Sequence, residues 1–221
     1  MTDWRRLGGA HVLYAPIALR LVDDFSGTAP FARIGTALER QDGPRWVATD
    51  IEAVRTVSGM IAYPGLGRTP NPVLAPVERY RVRLTDEEGR LYYRPAYRYA
   101  LDGLEFDVSP WDDTQPPAAI PDRPEAVFLW PGTNYPFPSA VPVLRGRTID
   151  AVGTPLADAR IATGTDHVLS DERGAFSLPV RLTAPAATIM VVAEHTRTGV
   201  SVSVAVPLPG GLVNAIELQL T

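Results

Sequence analysis

Glycine and proline interrupt this sequence so often that no long helix fits between them. They supply 18 and 22 of its 221 residues, and in a helix interior each costs about 1 (Gly) or 3 kcal/mol (Pro) relative to alanine. Between the breaks, apolar and polar residues alternate with the period of a strand that buries one face. Ile17-Ala-Leu-Arg-Leu-Val22, Arg79-Tyr-Arg-Val-Arg-Leu84, Val200-Ser-Val-Ser-Val-Ala-Val206 and Ala215-Ile-Glu-Leu-Gln-Leu220 show it most clearly. Turn signals separate the runs at Ser26-Gly27, Asp42-Gly43-Pro44, Glu88-Gly89, Asp102-Gly103, Arg173-Gly174 and Pro209-Gly210-Gly211. The expected fold class is all-β. Residues 49–57 offer the one helical reading, and their β-branched side chains weaken it.

Charge excludes some functions. The net charge is −4, with no basic domain of the kind a nucleic-acid binder presents. Every basic residue is arginine, which fits GC-rich bacterial coding and equally fits bidentate, stackable contacts at interfaces. There is no cysteine, hence no disulfide framework, thiolate metal site or cysteine nucleophile. The polar start Met1-Thr-Asp-Trp-Arg-Arg-Leu lacks the apolar core of a secretory signal, so synthesis in the cytoplasm is expected. The longest nearly uncharged run, residues 182–193, is broken by Pro185 and falls short of the roughly 20 residues a membrane span needs.

Nine of the prolines lie in residues 110–142. Proline fixes φ and removes a ladder donor, so this segment reads as a stiff connector rather than a central strand. Phe128, Leu129, Trp130, Tyr135 and Phe137 lie inside it, and such groups are expected to pack on the flanking domains. The connector is placed at 113–140, between domains at 1–112 and 141–221.

The two halves share short motifs. Arg20-Leu-Val-Asp23 with Gly27, Pro30 and Ile34 parallels Arg147-Thr-Ile-Asp150 with Gly153, Pro155 and Ile161. Leu84-Thr-Asp86-Glu-Glu-Gly89 parallels Leu169-Ser-Asp171-Glu-Arg-Gly174. In each, an Asp opens a turn by bonding the backbone ahead and a Gly closes it. The first half is longer between its motifs, which places an insertion near 41–76.

The second half, Gly146-Arg-Thr-Ile-Asp150-Ala-Val-Gly153-Thr-Pro155 through Ala159-Arg-Ile161 and on to Ser170-Asp171-Glu-Arg-Gly174-Ala-Phe176, resembles the carboxypeptidase regulatory-like domain. It departs in having Ser170 for the family's Thr and Asp158 for its Gly. The resemblance covers 141–221 and implies a Greek-key β-sandwich of prealbumin (transthyretin-like) type, an accessory, non-catalytic module. Residues 10–110 would be a diverged copy, giving two tandem sandwiches.

No chemistry stands out. His11, His167 and His195 do not occur at metal-ligand spacing, so no metal is expected. Asp166 beside His167 reads as a polar turn. No phosphate loop, dinucleotide fingerprint or nucleophile elbow occurs, so neither catalytic residues nor a cofactor are expected. The strongest candidate is a partner-binding face. Arg79, Arg81 and Arg83 would line one side of a strand, with Tyr92, Tyr93, Tyr97 and Tyr99 on an antiparallel neighbour after the 87–89 turn, and Trp130, Tyr135 and Phe137 on the connector. Arg and Tyr are enriched at interface hot spots, although the same residues also suit a solvated face where Arg stems cover tyrosines. The expected function is a non-enzymatic structural or adaptor protein, binding protein partners or its own copies, in an assembly such as a phage tail or contractile injection particle. The alternative is a carbohydrate or cell-surface module with Trp46, Trp111 or Trp130 as stacking platform. An enzyme centred on residues 41–76 is a third reading.

Overall fold

The computed structural model describes residues 14–86, 89–114, 123–181, 188–207 and 214–221. The chain is all-β. Its first half forms β1 (Ala18–Asp23), β2 (Ile34–Asp42), β3 (Arg45–Ala48), β4 (Val54–Arg55), β5 (Met60–Ala62), β6 (Glu78–Asp86), β7 (Tyr93–Pro95), β8 (Leu104–Val108) and β9 (Glu125–Pro131). The second half forms β10 (Val143–Ile149), β11 (Arg160–Thr163), β12 (Asp166–Leu169), β13 (Ala175–Pro179), β14 (Thr188–His195), β15 (Val200–Pro207) and β16 (Asn214–Gln219). A 3-10 turn, Ala96–Tyr99, follows β7. The alternation in sequence becomes alternation in burial. On β6, Tyr80, Val82 and Leu84 are buried while Arg79, Arg81 and Arg83 take the other face.

The chain divides into two compact units, each assembled from three stretches. Unit 1 comprises Met1–Arg20, Leu38–Arg81 and Glu105–Glu125, and unit 2 comprises Leu21–Ala37, Val82–Leu104 and Ala126–Thr221. In unit 1 the core includes Leu19, Leu38, Ile61, Tyr80 and Val108 around a buried Trp111. The Trp111 indole donates to the Leu66 carbonyl at 2.8 Å, and the Tyr14 ring meets its face edge-on. In unit 2, Leu144, Phe176, Leu178 and Leu218 from β10, β13 and β16 share one core with Ile161, Val168, Val191 and Val206 from β11, β12, β14 and β15. Gly146 permits the close approach of β10 to β16, since a Cβ there would stand 2.3 Å from the Ile216 carbonyl oxygen and 2.7 Å from the Phe176 ring.

The sheet orders of the two halves correspond except at β4 and β7, which have no counterpart among the described strands of the second half. One sheet runs β3-β2-β6-β8 and its counterpart β12-β11-β14-β15. The other runs β4-β5-β1-β9-β7, in which β5-β1-β9 answers β13-β10-β16. The turns agree as well. β2–β3 and β11–β12 are both two-residue hairpins with a leading glycine, Gly43 at φ 58° and Gly164 at φ 56°, the residue a tight primed turn requires. Before β13, Asp171 N donates to Ala175 O, Gly174 N to Asp171 O, and Ala175 N to the Asp171 carboxylate. Before β5, Thr56 N donates to Met60 O, Gly59 N to Thr56 O, and Met60 N to the Thr56 hydroxyl.

The Asp–Gly turns take the form read from sequence. Asp23 Oδ1 accepts from Phe25 N and Ser26 N, and Asp150 Oδ1 from Val152 N and Thr154 N. Two expectations are corrected. The connector at 113–140 contains a strand, β9, which lies between β1 and β7. Its residues 125–130 are free of proline, enough for a ladder, and Pro131 falls at its end. The expected antiparallel pairing of the Tyr92–Tyr99 segment with β6 does not form. β6 lies between β2 and β8, and β7 pairs with β9 through Tyr93↔Pro131, Arg94↔Trp130 and Pro95↔Leu129. Residues 49–57 hold the short β4 and no helix. His11, Glu87, Glu88, Pro116, Pro117, Pro121, the Pro209-Gly210-Gly211 turn and part of the 182–193 run lie outside the described residues. Among the described residues, no helix is long and apolar enough to cross a membrane.

Candidate functional site

The densest polar construction lies in unit 2, where residues 89–103 meet the turn before β11. Strand geometry sends Tyr93 and Arg94 to opposite sides of β7. The 3-10 turn after Pro95 then brings Arg98 alongside Arg94. Arg94 Nη2 donates to Asp158 Oδ1 at 2.5 Å and its Nη1 to Glu172 Oε1 at 2.9 Å. Arg98 Nε and Nη2 donate to the two oxygens of Asp158 at 2.9 and 3.2 Å. The Arg94 and Asp158 side chains are only 5% and 8% exposed, so this is an ion pair in the interior, capped by a second guanidinium. Burial pushes the Asp158 carboxyl up, but the Arg98 and Arg94 bonds hold it below the ordinary carboxylate range. Burial pulls the Arg98 guanidinium down, and Asp158 more than restores it. Asp158 takes a left-handed φ of 59°, a conformation that glycine adopts freely and aspartate tolerates. Asp158 is thus at once the turn residue and the anchor.

On the other side of β7, the Tyr93 hydroxyl donates to Asp23 Oδ2 at 2.9 Å and accepts from Phe31 N. Tyr135 donates to the same oxygen at 2.7 Å. The rings of Phe25, Phe31, Tyr93, Tyr135 and Phe137 pack together beside this carboxylate in edge-on and tilted pairs, with centroids 4.7–5.6 Å apart. Burial, reinforced by Asp23, pushes both phenols well above the usual tyrosine range. A third cluster sits on β11 and β12. The Arg160 guanidinium lies over the Tyr99 and Trp130 rings and pairs with Glu194 at 2.6 Å. His167 packs on Trp130 and reaches Asp24 at 3.1 Å. Arg197 donates to the carbonyls of Arg98 and Leu101 and pairs with Asp102.

The ten residues singled out from sequence therefore fall into separate places. Arg79 is exposed and pairs with Glu105. Arg81 is mostly covered, bound by Glu39 and stacked over Trp46 at 4.6 Å. Arg83 is exposed. Tyr93, Tyr135 and Phe137 come together around Asp23, with Tyr92 against Phe31. The Tyr97 hydroxyl accepts from Leu84 N. Tyr99 and Trp130 come together at Arg160. Trp111, a candidate stacking platform, is 1% exposed and offers no face to a sugar. Asp166 is no solvated turn: it is buried, and its carboxylate accepts from the Arg181 backbone and side chain.

Sequence reasoning missed Asp158, Arg94 and Arg98. A signal existed in the aspartate standing where the resembled family has glycine. Among the described residues, no three His, Asp or Glu converge as a cation site. The Asp158 cluster is chemically a lock. Its carboxylate accepts three guanidinium hydrogen bonds, two on Oδ1 and one on Oδ2. No protein-family model matches the chain, and no curated protein matches its sequence.

Proposed function

We propose that the chain is a non-enzymatic structural or adaptor subunit of a larger protein assembly, of the kind that builds a phage tail or contractile injection particle. The observation that carries this reading is the aliphatic surface of unit 1. Val57, Leu74, Val73 and Val77 are 110%, 80%, 76% and 60% exposed, and Val47, Ile51 and Val54 are also exposed within the same 47–77 stretch. Such a concentration of exposed apolar side chains suits a protein partner. Aliphatic groups offer no stacking face, so this stretch suits a protein better than a sugar.

The domain reading that accompanies it is a pair of tandem Greek-key sandwiches. Residues 141–221 would form the carboxypeptidase regulatory-like module and the first half a diverged copy. The matched strand orders and turns support this. Residues 41–76 supply β3 and β5, counterparts of β12 and β13, together with β4, which has no counterpart, and further added length falls between β6 and β8, at 87–103. The first copy then runs through β9. The Asp158 lock suits a rigid building block.

The test is incorporation. Val73→Asp combined with Leu74→Asp changes two exposed positions and should leave Tm within a few degrees. The tagged wild-type chain should sediment with large particles from lysates of its source, and the double variant should remain in the low-mass fraction. A wild-type chain that never leaves the low-mass fraction would overturn the reading.

A further inference from the structure

Strand β15 ends its sheet, and among the described residues no strand pairs with its outer edge. It has eight residues, none charged, and its one proline is the last. Exposed edges of this kind are usually shortened, charged or broken, because an open row of N–H and C=O groups recruits another strand. The other edge strands of this molecule follow that rule. β4 has two residues, β3 begins with Arg45, β7 holds Arg94 and Pro95, and β8 carries Glu105 and Asp107. β12 is four residues long and opens on Asp166, β13 is five and ends on Pro179, and β16 carries Glu217. Among the described edge strands, only β15 is long and uncharged.

The sequence of β15 also reads nearly the same in both directions. Val200-Ser-Val-Ser-Val-Ala-Val206 is symmetric about Ser203 except that Ser201 answers Ala205. An antiparallel pair of β15 strands centred on Ser203 would set valine against valine and small residue against small residue at every position. That is what an isologous two-fold contact requires. The valines Val200, Val202 and Val204 already pack at the margin of the unit 2 core. Ser201, Ser203 and Ala205 point outward and are exposed. On the neighbouring strand, Met190 and Val192 lie opposite Ala205 and Ser203 and remain 54% and 38% exposed, so the uncharged surface continues from the edge onto the sheet.

We propose that β15 is a self-association edge, pairing antiparallel with β15 of a second copy about Ser203 and joining two four-stranded sheets into one of eight. The closed two-fold pairing consumes both edges and stops at a dimer. This goes beyond the assembly reading and does not depend on it, because it is measured on the purified chain alone.

The experiment uses the full chain in sedimentation velocity and cross-linking. The wild type should be dimeric at micromolar concentration. Ser203→Lys sets two like charges opposite each other at the new ladder and should give a monomer with unchanged far-UV circular dichroism. The chain has no cysteine, so single cysteines report the register. Ser203→Cys should cross-link to a covalent dimer on mild oxidation, since directly opposed residues lie within disulfide reach. Ser201→Cys should not, because it faces Ala205, while Ser201→Cys with Ala205→Cys should cross-link again. A monomeric wild type, an open-ended polymer, a Ser203→Lys dimer, or any other cross-linking pattern would overturn the proposal.

Discussion

Four residues, 196–199, join β14 to β15, whereas at the corresponding place in the first half seventeen separate β6 from β8. The short connection closes on itself. Thr198 N and Gly199 N both donate to His195 O, and the Thr198 hydroxyl meets the His195 ring at 2.8 Å. The long connection reaches outward. Tyr93 goes to Asp23, Arg94 to Asp158 and Glu172, and Arg98 to Asp158, while its 3-10 turn contains no buried residue. Even Arg197 of the short turn is spent on the carbonyls of the long one. Added chain without an apolar core of its own must be ordered by bonds to its surroundings, since each ordered residue costs about 1–2 kcal/mol of backbone entropy. Here those bonds go chiefly to two buried aspartates, Asp23 and Asp158.

The comparison can be broken most severely at Asp158. Asp158→Ala leaves Arg94 buried beside a hole and should cost about 3–5 kcal/mol in urea unfolding, the range for removing one partner of a buried ion pair. Hydrogen exchange should rise over 89–103 and stay unchanged over 196–199. A smaller loss is expected on the tyrosine side. Tyr93→Phe keeps the ring and removes one of the two hydroxyls on Asp23, for about 1–2 kcal/mol. Tyr93 is therefore a stability residue, and a double Arg81→Ala and Tyr93→Ala variant should lose Tm well before any partner contact can be assayed.

Acid should loosen the long connection. Asp158 and Glu172 titrate below their ordinary range, so their contribution is complete above the unfolded carboxylate values of about 4 and is lost as pH falls through the lower folded values. Asp158→Asn should flatten the acid limb of stability against pH. An unchanged limb would assign acid sensitivity elsewhere. The smallest effect belongs to Arg197→Ala. Its ion pair with Asp102 is largely exposed, and about 0–1 kcal/mol is expected.

Much of the fold was legible in sequence because its causes are local. Alternation gave the strands, and Asp followed by Gly gave the turns. A likeness between the two halves was legible too, but its alignment was drawn through Asp86 and Gly89, which share spelling with Asp171 and Gly174. The turn that makes the same hydrogen bonds is Thr56 to Met60, where a threonine hydroxyl does the work of the aspartate. Backbone geometry was repeated while side-chain identity was not, and a sequence comparison sees only the second. The ten candidate residues lie in separate places for a related reason. Alternation predicts which way Arg79 and Tyr93 point along their own strands, but not which strands become neighbours. Asp158 was visible only as a departure from glycine, and its partners lie 64 and 60 residues away in the chain.

The account turns on Asp158 and Arg94 acting as a coupled pair, and a double-mutant cycle measures that directly. Arg94→Met, Asp158→Leu and the double variant would be unfolded in urea at neutral pH. The predicted coupling is about 2–3 kcal/mol, with the double variant more stable than Arg94→Met alone. Additive costs within about 0.5 kcal/mol would mean that the two residues do not act together, and the lock would be contradicted.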